Sequence, residues 1–160
     1  MEAAATNPMH VLLVEDDPMD EALVIQAFRK LNLGASVNVV RDGAEALDYL
    51  FGTGRYSGRD PQNLPRFVLM DIHLPKFSGI EVLDRIRGDP CCRYLPVIVF
   101  TSSVAERDLI ECYRSGANSY VRKPLEFAGL VEAMRQIWQY WSALNEPAPL
   151  EIHLVSELEA

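Results

Sequence analysis

Val11-Leu12-Leu13-Val14-Glu15-Asp16-Asp17-Pro18 is the stretch on which the fold turns, a short aliphatic run that stops abruptly at three acidic residues. A run without polar alternation is the pattern of a strand buried on both faces, as in a parallel sheet covered by helices on each side. Pro18 suits the first turn of a helix, where its missing N–H costs nothing. Ala22, Leu23, Ile25, Ala27, Phe28 and Leu31 then recur at helical spacing before Gly34 closes the segment.

The same unit repeats along the chain. Val37, Val39 and Val40 make a second strand, and Asp42-Gly43 opens a helix through Ala46, Leu47, Tyr49, Leu50 and Phe51. Gly52 to Pro65 is rich in Gly, Pro, Arg, Ser and Asp and reads as a long surface loop. Phe67-Val68-Leu69-Met70 is a third strand, ended by Asp71, and a helix follows from Gly79 to Arg87. Pro96 to Phe100 is a fourth strand, ended by Thr101-Ser102-Ser103, with a helix from Glu106 to Ser115 before Gly116. Ser119 to Arg122 is a fifth, ended by Lys123-Pro124, and a last helix runs from about Glu126 to Ser142. Strand and helix alternate five times, which predicts an α/β, doubly wound, five-stranded parallel sheet. Right-handed crossovers favour the flavodoxin-like order 2-1-3-4-5.

With 160 residues the chain is long enough for one domain that buries roughly two-thirds of its unfolded surface. No run approaches the ~20 apolar residues of a membrane helix. Met1 to Pro8 has neither a basic region nor an apolar core, so a cytoplasmic protein with no membrane association is expected. Cys91 and Cys92 are adjacent and Cys112 stands apart, a pattern of free thiols and not of a disulfide framework or zinc site. The net charge of −8 and the scattered basic residues argue against direct nucleic-acid binding.

In open α/β sheets, ligands bind beyond the carboxyl ends of the strands. Glu15, Asp16 and Asp17 lie there after the first strand, Asp71 after the third, Thr101 after the fourth and Lys123 after the fifth. Crowded carboxylates repel one another unless a hard cation neutralises them, and an oxygen-only donor set suits Mg²⁺. A carboxylate beside Mg²⁺ and a lysine can attack phosphorus, giving an acyl phosphate on Asp71. Each of these residues alone is ordinary strand-end punctuation; their coincidence at one sheet edge is the signal.

The stretches Val11 to Asp17, Met70-Asp71-Ile72-His73-Leu74-Pro75 with Gly79, Thr101-Ser102, and Val121-Arg122-Lys123-Pro124 make the sequence resemble the receiver domain of two-component response regulators over Met9 to Ser142. The resemblance implies that Asp71 is the phosphoacceptor, with a histidine kinase as donor. It implies that Glu15, Asp16, Asp71 and the backbone carbonyl of His73 hold Mg²⁺, with Asp17 just outside. Thr101 and Lys123 would bind the phosphoryl oxygens, Thr101 and Tyr120 would form the switch, and the Lys123-Pro124 peptide would be cis. The plain alternative for Tyr120 is an aromatic packed at the sheet edge. The His73 imidazole is left at the mouth of the site, where it would affect water access and phosphoryl lifetime.

A receiver unit at residues 9–145 leaves only 146–160 as a tail or arm, too short to fold alone, so the output would be a partner. The long loop and the aromatic Ile137-Trp138-Gln139-Tyr140-Trp141 are similar to single-domain regulators paired with bacterial and cyanobacterial phytochrome kinases. Neighbours along a helix point about 100° apart, so Trp138, Tyr140 and Trp141 cannot all face the sheet. That favours a homodimer through the last helix and tail; the alternative packs Ile137, Trp141 and Leu144 internally. Leu150 to Val155 alternates enough for a short strand or arm, against the base expectation of a disordered end.

An aspartate-nucleophile phosphatase would call for Asp-x-Asp, where His73 stands in the second position. Nucleotide-cofactor folds would need a glycine-rich phosphate loop that follows no strand here. A receiver-like interaction module that is never phosphorylated is the reading of a different class, although every acceptor-site residue is present.

Overall fold

The computed structural model describes residues 9–149. Strands β1 (His10–Val14), β2 (Ser36–Val40), β3 (Val68–Met70), β4 (Val97–Thr101) and β5 (Ser119–Arg122) alternate with helices α1 (Pro18–Leu31), α2 (Gly43–Phe51), α3 (Gly79–Gly88), α4 (Glu106–Arg114) and α5 (Phe127–Trp138). The strands form one parallel sheet in the order β2-β1-β3-β4-β5, with Val14 opposite both Val40 and Met70. The doubly wound, flavodoxin-like expectation is met.

Side chains of a strand alternate between faces, and the core divides accordingly. Leu12, Val14, Met70 and Val99 point to one face, packed with Leu47, Leu50, Val82, Leu83 and Ile86 of α2 and α3. Val11, Leu13, Leu69 and Ile98 point to the other, packed with Val24, Phe28, Leu130, Met134 and Ile137 of α1 and α5. α4 is thinly anchored, since Cys112 is its single fully buried residue.

Short-range chemistry sets the helix starts. Asp17 caps α1, accepting from the amides of Met19 and Asp20, and Asp42 caps α2 by accepting from the Glu45 amide. Ser78 and Glu81 form a reciprocal capping box at the start of α3.

Two segments carry more structure than the sequence suggests. Within the loop of residues 52–65, a 3₁₀ turn (Gly54–Tyr56) docks on α2: the Tyr56 hydroxyl donates to Glu45 Oε1 at 2.7 Å, and the Arg59 guanidinium lies 4.1 Å from the centre of the Tyr49 ring. The last helix, read as one helix to Ser142, is α-helical to Trp138 and continues as a π-helical segment, Gln139–Leu144. Trp138 packs edge-on against Phe28 and Phe67, and Trp141 also lies against the core. Of the alternative that packs Ile137, Trp141 and Leu144 internally, the first two do pack against the core, while Leu144, like Tyr140, faces outward, at 73% and 46% exposure respectively.

All three cysteines are free, and among the described residues no helix is long and apolar enough to cross a membrane. The strand or arm read at residues 150–155 lies outside the described residues.

Candidate functional site

The parallel ladder delivers Asp71 to its place. Its backbone N–H donates to Val14 O at 3.1 Å, which sets the residue beside the end of β1. Its side chain is buried, and Oδ1 accepts from the amides of Ile72 at 2.7 Å and His73 at 3.3 Å. Gly79 makes the turn of this loop feasible: its N–H donates to Ile72 O, and a Cβ there would lie 2.7 Å from both Asp71 O and Ile72 Cα. One carboxylate oxygen is thus fixed by backbone amides, and the other faces the site.

Lys123 reaches that second oxygen from the far side of the sheet. Its backbone N–H donates to Thr101 O at 2.8 Å, extending the pairing of β5 with β4 by one residue. Its Nζ donates to Asp71 Oδ2 at 2.7 Å and to Glu15 Oε2 and Asp20 Oδ2 at 2.8 Å each. Burial is the largest single influence on this ammonium and works against its charge. The hydrogen bonds to Asp20, Asp71 and Glu15 together outweigh burial and hold its pKa above the usual lysine range. Burial pushes the Glu15 carboxyl above its ordinary value, opposed by the hydrogen bond and charge of Lys123.

Glu15, Asp16 and Asp71 each present an oxygen, and these atoms all lie within 4.8 Å of one another. Glu15 and Asp71 are buried while Asp16 is open to solvent, which leaves an approach for a hydrated ion. An all-oxygen set of carboxylates is the donor chemistry a hard divalent cation takes. Asp17 is occupied with capping α1 and stands outside the cluster, as expected.

Thr101 is fully buried, and its Oγ1 accepts from the Ser103 amide at 3.2 Å. The Tyr120 hydroxyl donates to Ser103 O at 3.2 Å, and burial raises its phenol pKa. Thr101 and Tyr120 therefore meet at one loop. The exposed His73 imidazole stands 3.5 Å from Asp108 on α4, and the Ser103 hydroxyl donates to the same Asp108 oxygen at 2.5 Å. The Lys123-Pro124 peptide differs from the cis form implied by resemblance. No cis bond occurs among the described residues, and trans is the lower-energy form even before proline.

The structure adds Asp20 and Asp108 to the residues read from sequence. An acidic residue in a first helical turn is ordinarily explained by the helix dipole, so Asp20 carried no distinguishing signal. Asp108 likewise sits in the first turn of α4.

Residues 11–135 match the family described as the response regulator receiver domain. This chain belongs to that family. It is 39% identical over 91% of its length to the "Probable methanogenesis regulatory protein FilR2" of Methanothrix harundinacea (strain 6Ac), covering 92% of that protein. It is 32% identical to response regulator Rcp1 of Synechocystis sp., covering 88% of this chain and 94% of Rcp1. The solved Mn²⁺-bound form of Rcp1 superposes with a TM-score of 0.79 over 89% of this chain and 100% of that one, at 30% identity. The phosphorylated cyanobacterial phytochrome response regulator RcpA superposes with a TM-score of 0.81, at 31% identity and the same coverage. The chain is a receiver signalling protein, homologous to phytochrome-associated response regulators.

Proposed function

We propose that this receiver accepts a phosphoryl group on Asp71 from the phosphohistidine of a histidine kinase in a Mg²⁺-dependent reaction and signals through a partner. The observation that carries the reading is the Asp71 carboxylate held 2.7 Å from the Lys123 ammonium inside a carboxylate cluster. Glu15, Asp16, Asp71 and the His73 carbonyl would hold the cation, which when bound neutralises the carboxylates and the charge on the transferring oxygens.

The chain's own residues supply the rest. The Ile72 and His73 amides orient the Asp71 carboxylate, and an Asp71 oxygen forms its bond to phosphorus as the donor's P–N bond breaks, the electron pair leaving with the imidazole. Lys123 and the Thr101 hydroxyl bind the phosphoryl oxygens. Drawing Thr101 toward the phosphoryl group would pull on the Ser103 loop that holds the Tyr120 hydroxyl, which supports Thr101 and Tyr120 as the switch. Hydrolysis of the acyl phosphate resets the protein, which promotes its own phosphorylation and dephosphorylation without being a turnover enzyme.

Homology to RcpA and Rcp1 supports a phytochrome-type kinase as donor. On this reading residues 9–145 are the working unit, in the cytoplasm, and the last helix with the tail of residues 146–160 joins a homodimer. Intact mass after incubation with acetyl phosphate and Mg²⁺ tests the chemistry. One phosphoryl group is expected, absent with chelator or in Asp71→Asn; no gain in a folded, Mg²⁺-binding sample, with no binding of a stable phosphoryl mimic, would leave the interaction-module reading instead.

A further inference from the structure

A lysine ammonium has three N–H donors, and in the resting protein all three of Lys123 are taken, by Glu15, Asp71 and Asp20. Two of these acceptors belong to the site already described. The third, Asp20, sits in the first turn of α1 and is not among the oxygens clustered for a cation.

The three acceptors are not equally easy to leave. The Glu15 side chain is 2% exposed, and losing its partner would strand a buried carboxylate. Asp71 is the atom donor of the new bond, and its phosphorylation returns one N–H for the incoming group. The Asp20 side chain is 36% exposed, so water can replace Lys123 there at little cost. A second N–H for the phosphoryl oxygens therefore comes most cheaply from Asp20.

We propose that Asp20 is a positioning residue of the phosphoryl site: it holds the third donor of Lys123 in the resting state and yields that donor to a phosphoryl oxygen. The proposal rests on the reading of Asp71 as the phosphoacceptor. Its consequence is a competition, in which Asp20 steadies the ammonium while no phosphoryl group is present and opposes its capture when one arrives. Release of Asp20 would also reach α1, because the Asp20 amide is one of the two that the Asp17 cap holds.

Two measurements on the full chain test this. In chelator, a ¹⁵N–¹H spectrum of the lysine ammonium groups is expected to show a protected Lys123 signal, distinct from those of Lys30 and Lys76, that exchanges faster in Asp20→Asn. At saturating Mg²⁺, Asp20→Asn is expected to lower the half-saturating concentration of acetyl phosphate by about two- to fivefold, the range of a partly exposed ion pair. Glu21→Gln is the control, since it removes a neighbouring charge that pairs with Arg41 and does not touch Lys123. An unchanged Lys123 signal in Asp20→Asn, or a half-saturation equal to that of Glu21→Gln, would overturn the proposal. The ammonium measurement needs no phosphodonor, so a wild-type chain that gained no phosphoryl group would defeat the phosphoacceptor reading separately.

Discussion

Tyr56 joins the long loop to α2 through its hydroxyl, which donates to Glu45, while Arg55 pairs with the same carboxylate from the exposed side. Burial first, and then the neighbouring Glu45, push the Tyr56 phenol up to about 12. A tyrosine of the unfolded chain ionises near pH 10, so between pH 10 and about 12 the unfolded state has lost a proton that the folded state keeps. Stability must therefore fall with rising pH across that window, and Tyr56→Phe should flatten the fall while costing about 1 kcal/mol at neutral pH for the lost hydrogen bond. Urea unfolding of both proteins at pH 7 and in the alkaline range checks the sign, and the tyrosinate absorbance should lose its latest-titrating step. At this scale the sequence was most informative where one side chain does one job. Asp71, Glu15 and Asp16 announce themselves because a charged residue ends an apolar run, and Lys123 because it stands with proline at the end of the fifth strand. Asp20 and Asp108 did not, because an acid in a first helical turn already has a sufficient local explanation.

Elements were legible wherever local pattern and end chemistry agree. β5 falls on the residues expected of it, and α1, α2 and α3 begin where Asp17, Asp42 and Ser78 cap them. The π-helical segment was not legible, because its stabilising partner lies far away in sequence. Arg66, just before β3, donates from Nε to Trp141 O at 3.3 Å and from a terminal nitrogen to Ser142 O at 2.9 Å. Those carbonyls lie in the last turn of the helical segment, where backbone acceptors lack helical partners. The guanidinium fastens the end of the π-helical segment to the amino end of the sheet, opposite the carboxylate site. Arg66→Met keeps the apolar stem and removes the donors, and is expected to destabilise the protein by about 1–2 kcal/mol. Hydrogen exchange should speed up most at residues 139–145 and hardly at all in β1 and β3; uniform acceleration would mean that Arg66 supports the sheet and not the helix end.

At the scale of the whole molecule, the order of the strands decides what the charges can do. Because β1 lies beside β3, and β5 ends next to Thr101, residues as distant in sequence as Glu15 and Lys123 meet at one edge. The opposite end of the chain leaves Tyr140 and Leu144 outward, and a homodimer through that surface should dissociate on Leu144→Glu, read by sedimentation velocity with and without phosphodonor; a wild-type chain that stays monomeric at micromolar concentration in both states would rule it out. The carboxylate edge makes the stronger demand on the molecule. Glu15, Asp20 and Asp71 share one ammonium, and an Asp16 oxygen lies within 4.8 Å of oxygens of Glu15 and Asp71, in a protein whose net charge is already −8, so the resting fold holds uncompensated negative charge. A cation that binds the folded site and not the unfolded chain stabilises the fold, by about 2.7 kcal/mol at a hundredfold excess over its dissociation constant. Mg²⁺ should accordingly raise the thermal midpoint above that in chelator, with no comparable rise from an equal ionic strength of NaCl. Asp71→Asn removes one donor charge and part of the repulsion together, so it should melt higher than wild type in chelator while gaining less from Mg²⁺. An equal gain in both proteins would place the cation elsewhere, and would separate the carboxylate cluster from the chemistry assigned to it.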